Sequence, residues 1–286
     1  MLIATVLMPT AKIRDIELYY EEHGHGDPLL CIMGFATDSN GWLLQVPDFS
    51  QRYRTIVFDN RGVGRSTKPT GAYTIHEMAD DAAGLLDQLQ IDRAHVLGVS
   101  MGGMIAQELV LRHPARVRGL VLAATFPEPD AATEEQRTVL FTQMGGTITE
   151  AGEMKIDVTA MNPMMFFQHL LPLVFNPSFI QTELPKLIQM FSGALQYGFS
   201  IEAILGQLQA VMGHKATDRL AGIAAPTLVL TGDADRLIAP ANSDVLAQTI
   251  PGAKLVRIPG GSHGFNFEMP ELFNRTVLEF LATVRA

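Results

Sequence analysis

The chain reads as an α/β protein: a mostly parallel central sheet with helices on both faces, interrupted by one helical insertion. Two observations lead there. Short apolar runs alternate with helical patterns along most of the chain, the signature of strand-helix-strand units. Several of those runs, Thr55-Ile56-Val57-Phe58, Ala94 to Val99 and Gly119 to Ala124 among them, are apolar at nearly every position, as strands covered on both faces are. At 286 residues and 47% apolar, the chain can bury one large core with a sizeable insertion.

The β-branched and aromatic residues of Ile13 to Tyr20, the turn residues of Glu21 to Asp27 and the run Leu29 to Met33 predict strand, turn, strand. His23 and His25 fall in that turn and read as a solvated tip, since no acidic or cysteine partner stands at metal-ligand spacing. Thr55 to Phe58 leads into Asp59-Asn60-Arg61-Gly62-Val63-Gly64-Arg65-Ser66, which lacks the Gly-Lys-Ser/Thr ending of a phosphate-binding loop. Thr74 and Glu77 have capping-box spacing, and Ile75, Met78, Ala82, Leu85, Leu86 and Leu89 follow at helical intervals, predicting a helix from Ile75 to Leu89. Ala94 to Val99 reads as a strand and Met104 to His113 as a helix closed by Pro114. Pro226 to Thr231 and Lys254 to Ile258 restore the strand pattern, and an amphipathic helix from Glu271 to Val284 follows.

From Phe126 the pattern changes to helical apolar spacing with seven of the fourteen methionines and no strand signal. The expected division is therefore core 1–125, helical cap 126–219 and core 220–286. Met144, Met161, Met165 and Phe166 are candidates for an adaptable apolar wall over a pocket, against the plainer reading of core filling. The charge runs Asp80-Asp81 and Glu134-Glu135 read as solvated helix faces.

A net charge of −9 argues against nucleic acid or an anionic membrane as partner, leaving a small molecule as the expected one. Cys31, the single cysteine, lies inside an apolar run and reads as a buried, inert thiol. Met1 to Met8 shows no basic leader, and no run approaches the roughly 20 apolar residues of a bilayer span. A cytoplasmic protein, monomer or homodimer, without metal or cofactor, is expected.

The chemistry gathers at three strand ends. Gly98-Val99-Ser100-Met101-Gly102 stands between a strand and a helix, where a Gly-x-Ser-x-Gly turn lifts the serine hydroxyl above the sheet. An aspartate, 233 or 235, follows a second strand, and His263 follows a third within Gly260-Gly261-Ser262-His263-Gly264. The carboxyl edge of an open α/β sheet is where such folds place their sites. A serine hydroxyl is a weak nucleophile at neutral pH; it needs an imidazole base, and that base needs a carboxylate to hold its tautomer.

Together with Gly34-Phe35 and the Asp59 to Ser66 turn, these motifs resemble the capped α/β-hydrolase family of small esterases, lactonases, cofactor-free haloperoxidase-type enzymes and carbon-carbon bond hydrolases. The resemblance covers both halves of the core and thins across the insertion. It implies Ser100 as nucleophile, His263 as base, and Asp235 rather than Asp233 as the acid, with an oxyanion hole from the backbone N–H groups of Phe35 and Met101. Met33 departs from the histidine that relatives commonly carry before the loop glycine. Asp59 and Arg61 are implied to brace the site's loops without touching substrate. The activity implied is two-step acyl transfer on carboxylic esters of small or medium acyl chain. A lactonase, enol-lactonase or carbon-carbon hydrolase with the same triad is the alternative, and a non-enzymatic ligand receptor on the same scaffold is the alternative from another class. Epoxide hydrolases and haloalkane dehalogenases of this type carry aspartate where this chain has Ser100.

Overall fold

The computed structural model of the chain describes residues 9–129, 138, 142, 146–148, 154–156, 163–190, 196–198 and 200–284, with the backbone alone at 146, 148, 154–156, 163–168 and 190. In chain order the main-sheet strands are β1 (Thr10–Ile13), β2 (Ile16–His23), β3 (Asp27–Ile32), β4 (Tyr53–Phe58), β5 (Ala94–Val99), β6 (Val117–Ala123), β9 (Thr227–Gly232) and β10 (Lys254–Ile258). They form one eight-stranded sheet in the order β1-β2-β4-β3-β5-β6-β9-β10. The β1-β2 and β2-β4 pairs are antiparallel and the rest parallel. The strand expected over Ile13 to Tyr20 is β2, which begins only at Ile16 and runs on through His23, so His23 ends a strand instead of sitting in the turn; Ile13 closes β1, Arg14 takes φ 52°, and the chain reverses between the two strands. The Arg14-Asp15 tip carries none of the glycine that marks most such hairpins in sequence.

Residues alternate between two cores. Leu30, Ile32, Val96, Leu120, Leu122 and Val229 face α2 (Ile75–Gln88), α3 (Met101–Arg112) and α8 (Ala241–Thr249). Leu29, Cys31, Leu97, Val99, Val121 and Leu230 face α1 (Val46–Phe49) and α10 (Pro270–Leu281). Because both faces are covered, every residue of β5 and β9 is buried, and each such Leu or Val contributes about 2 kcal/mol. Thr74 caps α2 by accepting from the Glu77 N–H at 3.1 Å, as its capping-box spacing predicts. Cys31 is fully buried, and burial pushes its thiol well above the usual range.

Between β6 and β9 lie the helices α4 (Pro163–Val174), α5 (Pro177–Thr182), α6 (Leu184–Met190) and α7 (Ile201–Met212). The same stretch contains an antiparallel ribbon, β7 (Gly146–Ile148) with β8 (Met154–Ile156), which corrects the expectation of no strands there. The β-branched Thr147 and Ile148, followed by Gly152, are the signal, masked in sequence by the helical spacing around them. Among the described residues no helix is long and apolar enough to cross a membrane.

Candidate active site

Ser100 stands at the junction of β5 and α3 with φ 57° and ψ −122°, a region that favours glycine and costs a non-glycine residue about 1–3 kcal/mol. The turn closes only because its neighbours lack side chains: a Cβ on Gly98 would lie 2.2 Å from the Gly102 carbonyl oxygen, and one on Gly102 would lie 2.0 Å from that of Ile32. Met101 opens α3, so its N–H belongs to the first turn, whose donors have no intrahelical acceptor. Gly34, after β3, approaches closely enough that a Cβ there would be 3.0 Å from Ser100 Cβ.

The loops after β9 and β10 are tied together. Ala234 N–H donates to the Gly261 carbonyl at 2.9 Å, and Gly260 N–H donates to Asp233 Oδ1 at 2.6 Å. Asp233 is thereby spent on the backbone. It is Asp235 that meets the histidine: Oδ2 lies 2.9 Å from His263 Nδ1, while Oδ1 accepts the N–H groups of Leu237 and Ile238, both at 2.8 Å. The Asp235 side chain is fully buried, and His263 lines the same cleft as Ser100. Other histidines are engaged elsewhere: His23 with Glu21, His76 with Glu108 and His113 with Asp80. Burial pushes His95 and His214 down to about 4, so both stay neutral near pH 7.

The Gly34 to Asp38 loop is braced at successive groups. Asn60 Nδ2 donates to the Met33 carbonyl at 2.9 Å, and Thr37 Oγ1 donates to the Phe35 carbonyl at 3.1 Å. Gln207, from α7, spans two loops: its Oε1 accepts from Ala36 N–H at 2.9 Å and its Nε2 donates to the Arg61 carbonyl at 2.8 Å. Ala36 takes φ 57°, so the bond to Gln207 holds a strained residue next to Phe35. Asp59 accepts from the N–H groups of Ser39 and Arg65 at 2.8 and 2.7 Å. Arg61 pairs with Asp81 at 2.5 Å and Glu77 at 2.9 Å. Asp81 is accordingly buried, not solvated as its sequence context suggests; its partner lies twenty residues away in a different element. Glu134 and Glu135 lie outside the described residues.

Replacing Gln207 with Leu keeps the volume but strands a buried N–H and a buried carbonyl. An expected loss of about 2 kcal/mol in thermal stability follows from the usual cost of unpaired groups. The disturbance falls on the Gly34 to Asp38 loop, and thermal melts of the variant beside the native protein check the loss.

Asp38 carries a second legible effect. Burial, reinforced by the Asp59 charge, pushes its carboxyl up to about 6 from an ordinary 3.8. The fold therefore favours the protonated form: the penalty is absent below about pH 4, grows as pH rises to about 6 and is complete above it. Asp38→Asn keeps an acceptor for the Asn40 N–H that Oδ1 takes at 3.0 Å. It should raise stability at pH 8 by about 2 kcal/mol, a gain that vanishes at pH 4 in parallel urea melts.

The cleft opens to solvent and spans about 600 Å³ with its mouth included. Ser100 and His263 share it with Phe35, and its apolar wall includes Leu170, Val174, Phe175, Leu237 and Phe267. The inserted segment meets the histidine loop here, since Gly264 N–H donates to the Val174 carbonyl at 2.7 Å. Of the wall residues expected from sequence, Met144 and Met161 lie outside the described residues, and Met165 and Phe166 are described in backbone only, on α4. The sequence reading missed Leu170, Val174, Phe175 and Gln207; a glutamine on the otherwise apolar buried stripe of α7 was the one available signal. Among the described residues no cluster of His, Cys, Asp and Glu is arranged to hold a metal ion.

A mostly parallel sheet with a strained serine, a histidine and an aspartate at three strand ends defines an α/β protein of the hydrolase class. The chain belongs to the alpha/beta hydrolase fold family, whose sequence profile matches residues 27–270. It is 28% identical to a protein of Azorhizobium caulinodans named as a carbamate hydrolase, RutD, over 97% of this chain and 99% of that one. It superposes on the enol-lactonase of Burkholderia xenovorans LB400 with a TM-score of 0.81 at 28% identity, covering 96% of this chain and all of that one. A thermophilic esterase from Thermogutta terrifontis matches with a TM-score of 0.80 at 28% identity, over 95% of each chain.

Proposed function

We propose that the protein is a serine hydrolase that cleaves carboxylic esters of small or medium acyl chain by two-step acyl transfer, with Ser100, His263 and Asp235 as its triad. The observation that carries this reading is the shared cleft of Ser100 and His263, with His263 Nδ1 held 2.9 Å from a buried carboxylate. With Nδ1–H donating to Asp235, the lone pair of Nε2 is left to take the Ser100 proton as the hydroxyl attacks the ester carbonyl. The N–H groups of Phe35 and Met101 stabilise the oxyanion, each worth about 3 kcal/mol in the transition state. The imidazolium then protonates the leaving alcohol, and water activated by the same histidine releases the acid and restores Ser100.

In this reading 126–219 is the cap, and Leu170, Val174 and Phe175 roof the acyl group. A lactone would undergo the same steps with its alcohol still tethered, a second reading favoured by the likeness to an enol-lactonase. Treatment with a fluorophosphonate should inactivate the enzyme and leave one adduct on Ser100, seen by peptide mass spectrometry. Full activity without an adduct would refute the assignment. Aryl esters of increasing acyl length, run beside lactones, separate the two substrate classes.

A further inference from the structure

Asn266 does not enter the steps above, yet it lines the same cleft from α9 (Phe265–Glu268), three residues beyond His263. The residue is only 6% exposed. Its backbone carbonyl accepts from Gln45 Nε2 at 2.7 Å, which fixes the backbone. Its carboxamide has no hydrogen-bond partner among the described residues. Neither of its side-chain polar atoms is among those sealed from solvent without a partner, so the amide meets the water of the cleft, and a substrate that displaces this water must replace its hydrogen bonds or leave the amide unpaired. The carboxamide offers one acceptor and two donors and carries no charge. No lysine or arginine is among the described residues lining the cleft, so an anionic substituent finds no counter-charge among them.

Building on the acyl-transfer reading, we infer that Asn266 is a specificity-determining residue that hydrogen-bonds a neutral polar substituent of the substrate, a hydroxyl or keto group. The preferred substrates are then esters or lactones, apolar over most of their surface, with one such group. Pockets that hydrogen-bond a substrate group discriminate against the analogue lacking it, because the protein's own polar group is then left unpaired.

The test uses matched esters with and without one hydroxyl or keto group, placed in turn on the acyl and the alkoxy chain, and a third set bearing a carboxylate. The kcat/KM ratio of substituted to plain ester is measured for the native protein, Asn266→Ala and Asn266→Leu. Expected is a ratio of about ten or more for at least one neutral substituent in the native protein, falling to about one in both variants, with no preference for the carboxylate set. A ratio near one throughout the native series overturns the inference, as does a preference that survives both substitutions or one confined to carboxylates. Folding of the variants is checked by thermal melts, and Asn266→Ser is the replacement if either fails. The same pairs are titrated calorimetrically into Ser100→Ala protein with and without the Asn266 change. The affinity ratio then decides the matter even if no ester turns over, and absence of turnover of every ester and lactone would count against the acyl-transfer reading alone.

Discussion

Under the proposed acyl transfer, Ser100→Ala should lower ester turnover by about 10⁴- to 10⁶-fold while leaving a folded protein, the loss typical of removing a nucleophile that works as part of a unit. Ser100→Gly should be as inactive and yet more stable than Ser100→Ala. At φ 57° and ψ −122° alanine keeps the strain of the native serine, whereas glycine escapes it. Relief of about 1–3 kcal/mol competes with about 0.5–1 kcal/mol of extra backbone entropy lost by glycine on folding. The balance leaves about 1 kcal/mol in favour of glycine. Urea melts of the two variants read that difference directly. Equal or lower stability of the glycine variant would mean that the elbow stores no strain.

The elbow was legible in sequence because its requirements are local. Gly98, Ser100 and Gly102 must be neighbours for the chain to turn between β5 and α3, and the nearly all-apolar run before them betrays a strand covered on both faces. The order of serine, aspartate and histidine after β5, β9 and β10 was legible for the same reason. What separates Asp235 from Asp233 is not local. Two residues apart on one loop, they differ in whether the carboxylate turns to the Gly260 N–H or to His263, and that depends on the hydrogen bond between Ala234 and Gly261, one strand over. Spacing relative to similar proteins, not the residues themselves, favoured Asp235.

The polar braces were illegible for a further reason. Gln207 meets Ala36 across 171 positions of sequence and Arg61 across 146. A carboxamide both donates and accepts, so nothing in the motif context of either partner announces it. Asp81 likewise carries no mark of its burial, since the Arg61 that neutralises it arrives from the loop after β4. The β7-β8 ribbon escaped because three-residue strands are too short to impose a period on a stretch rich in helical spacing.

Asp235→Asn is expected to reduce kcat by about 10⁴-fold at neutral pH with little loss of fold, and Asp233→Asn to leave turnover within a few fold. The first effect follows from the two oxygens of Asp235 having different duties. Oδ1 accepts two backbone N–H groups at 2.8 Å, so an asparagine keeps its carbonyl oxygen there; a flipped amide would set donor against donor. The NH₂ group then faces His263 Nδ1, where the carboxylate accepted at 2.9 Å. A donor at that point makes Nδ1 the acceptor and moves the ring proton to Nε2. In the proposed triad Nε2 is the nitrogen that takes the Ser100 proton, and it is then unable to accept one, which is the tautomer error that costs about 10⁴ in triads generally. Proton NMR checks the cause independently of rate: the downfield imidazole N–H resonance of the Asp235-bonded histidine should be present in the native protein and in Asp233→Asn and absent in Asp235→Asn. Loss of rate with that resonance retained would assign the effect to a disturbed loop instead of the wrong tautomer.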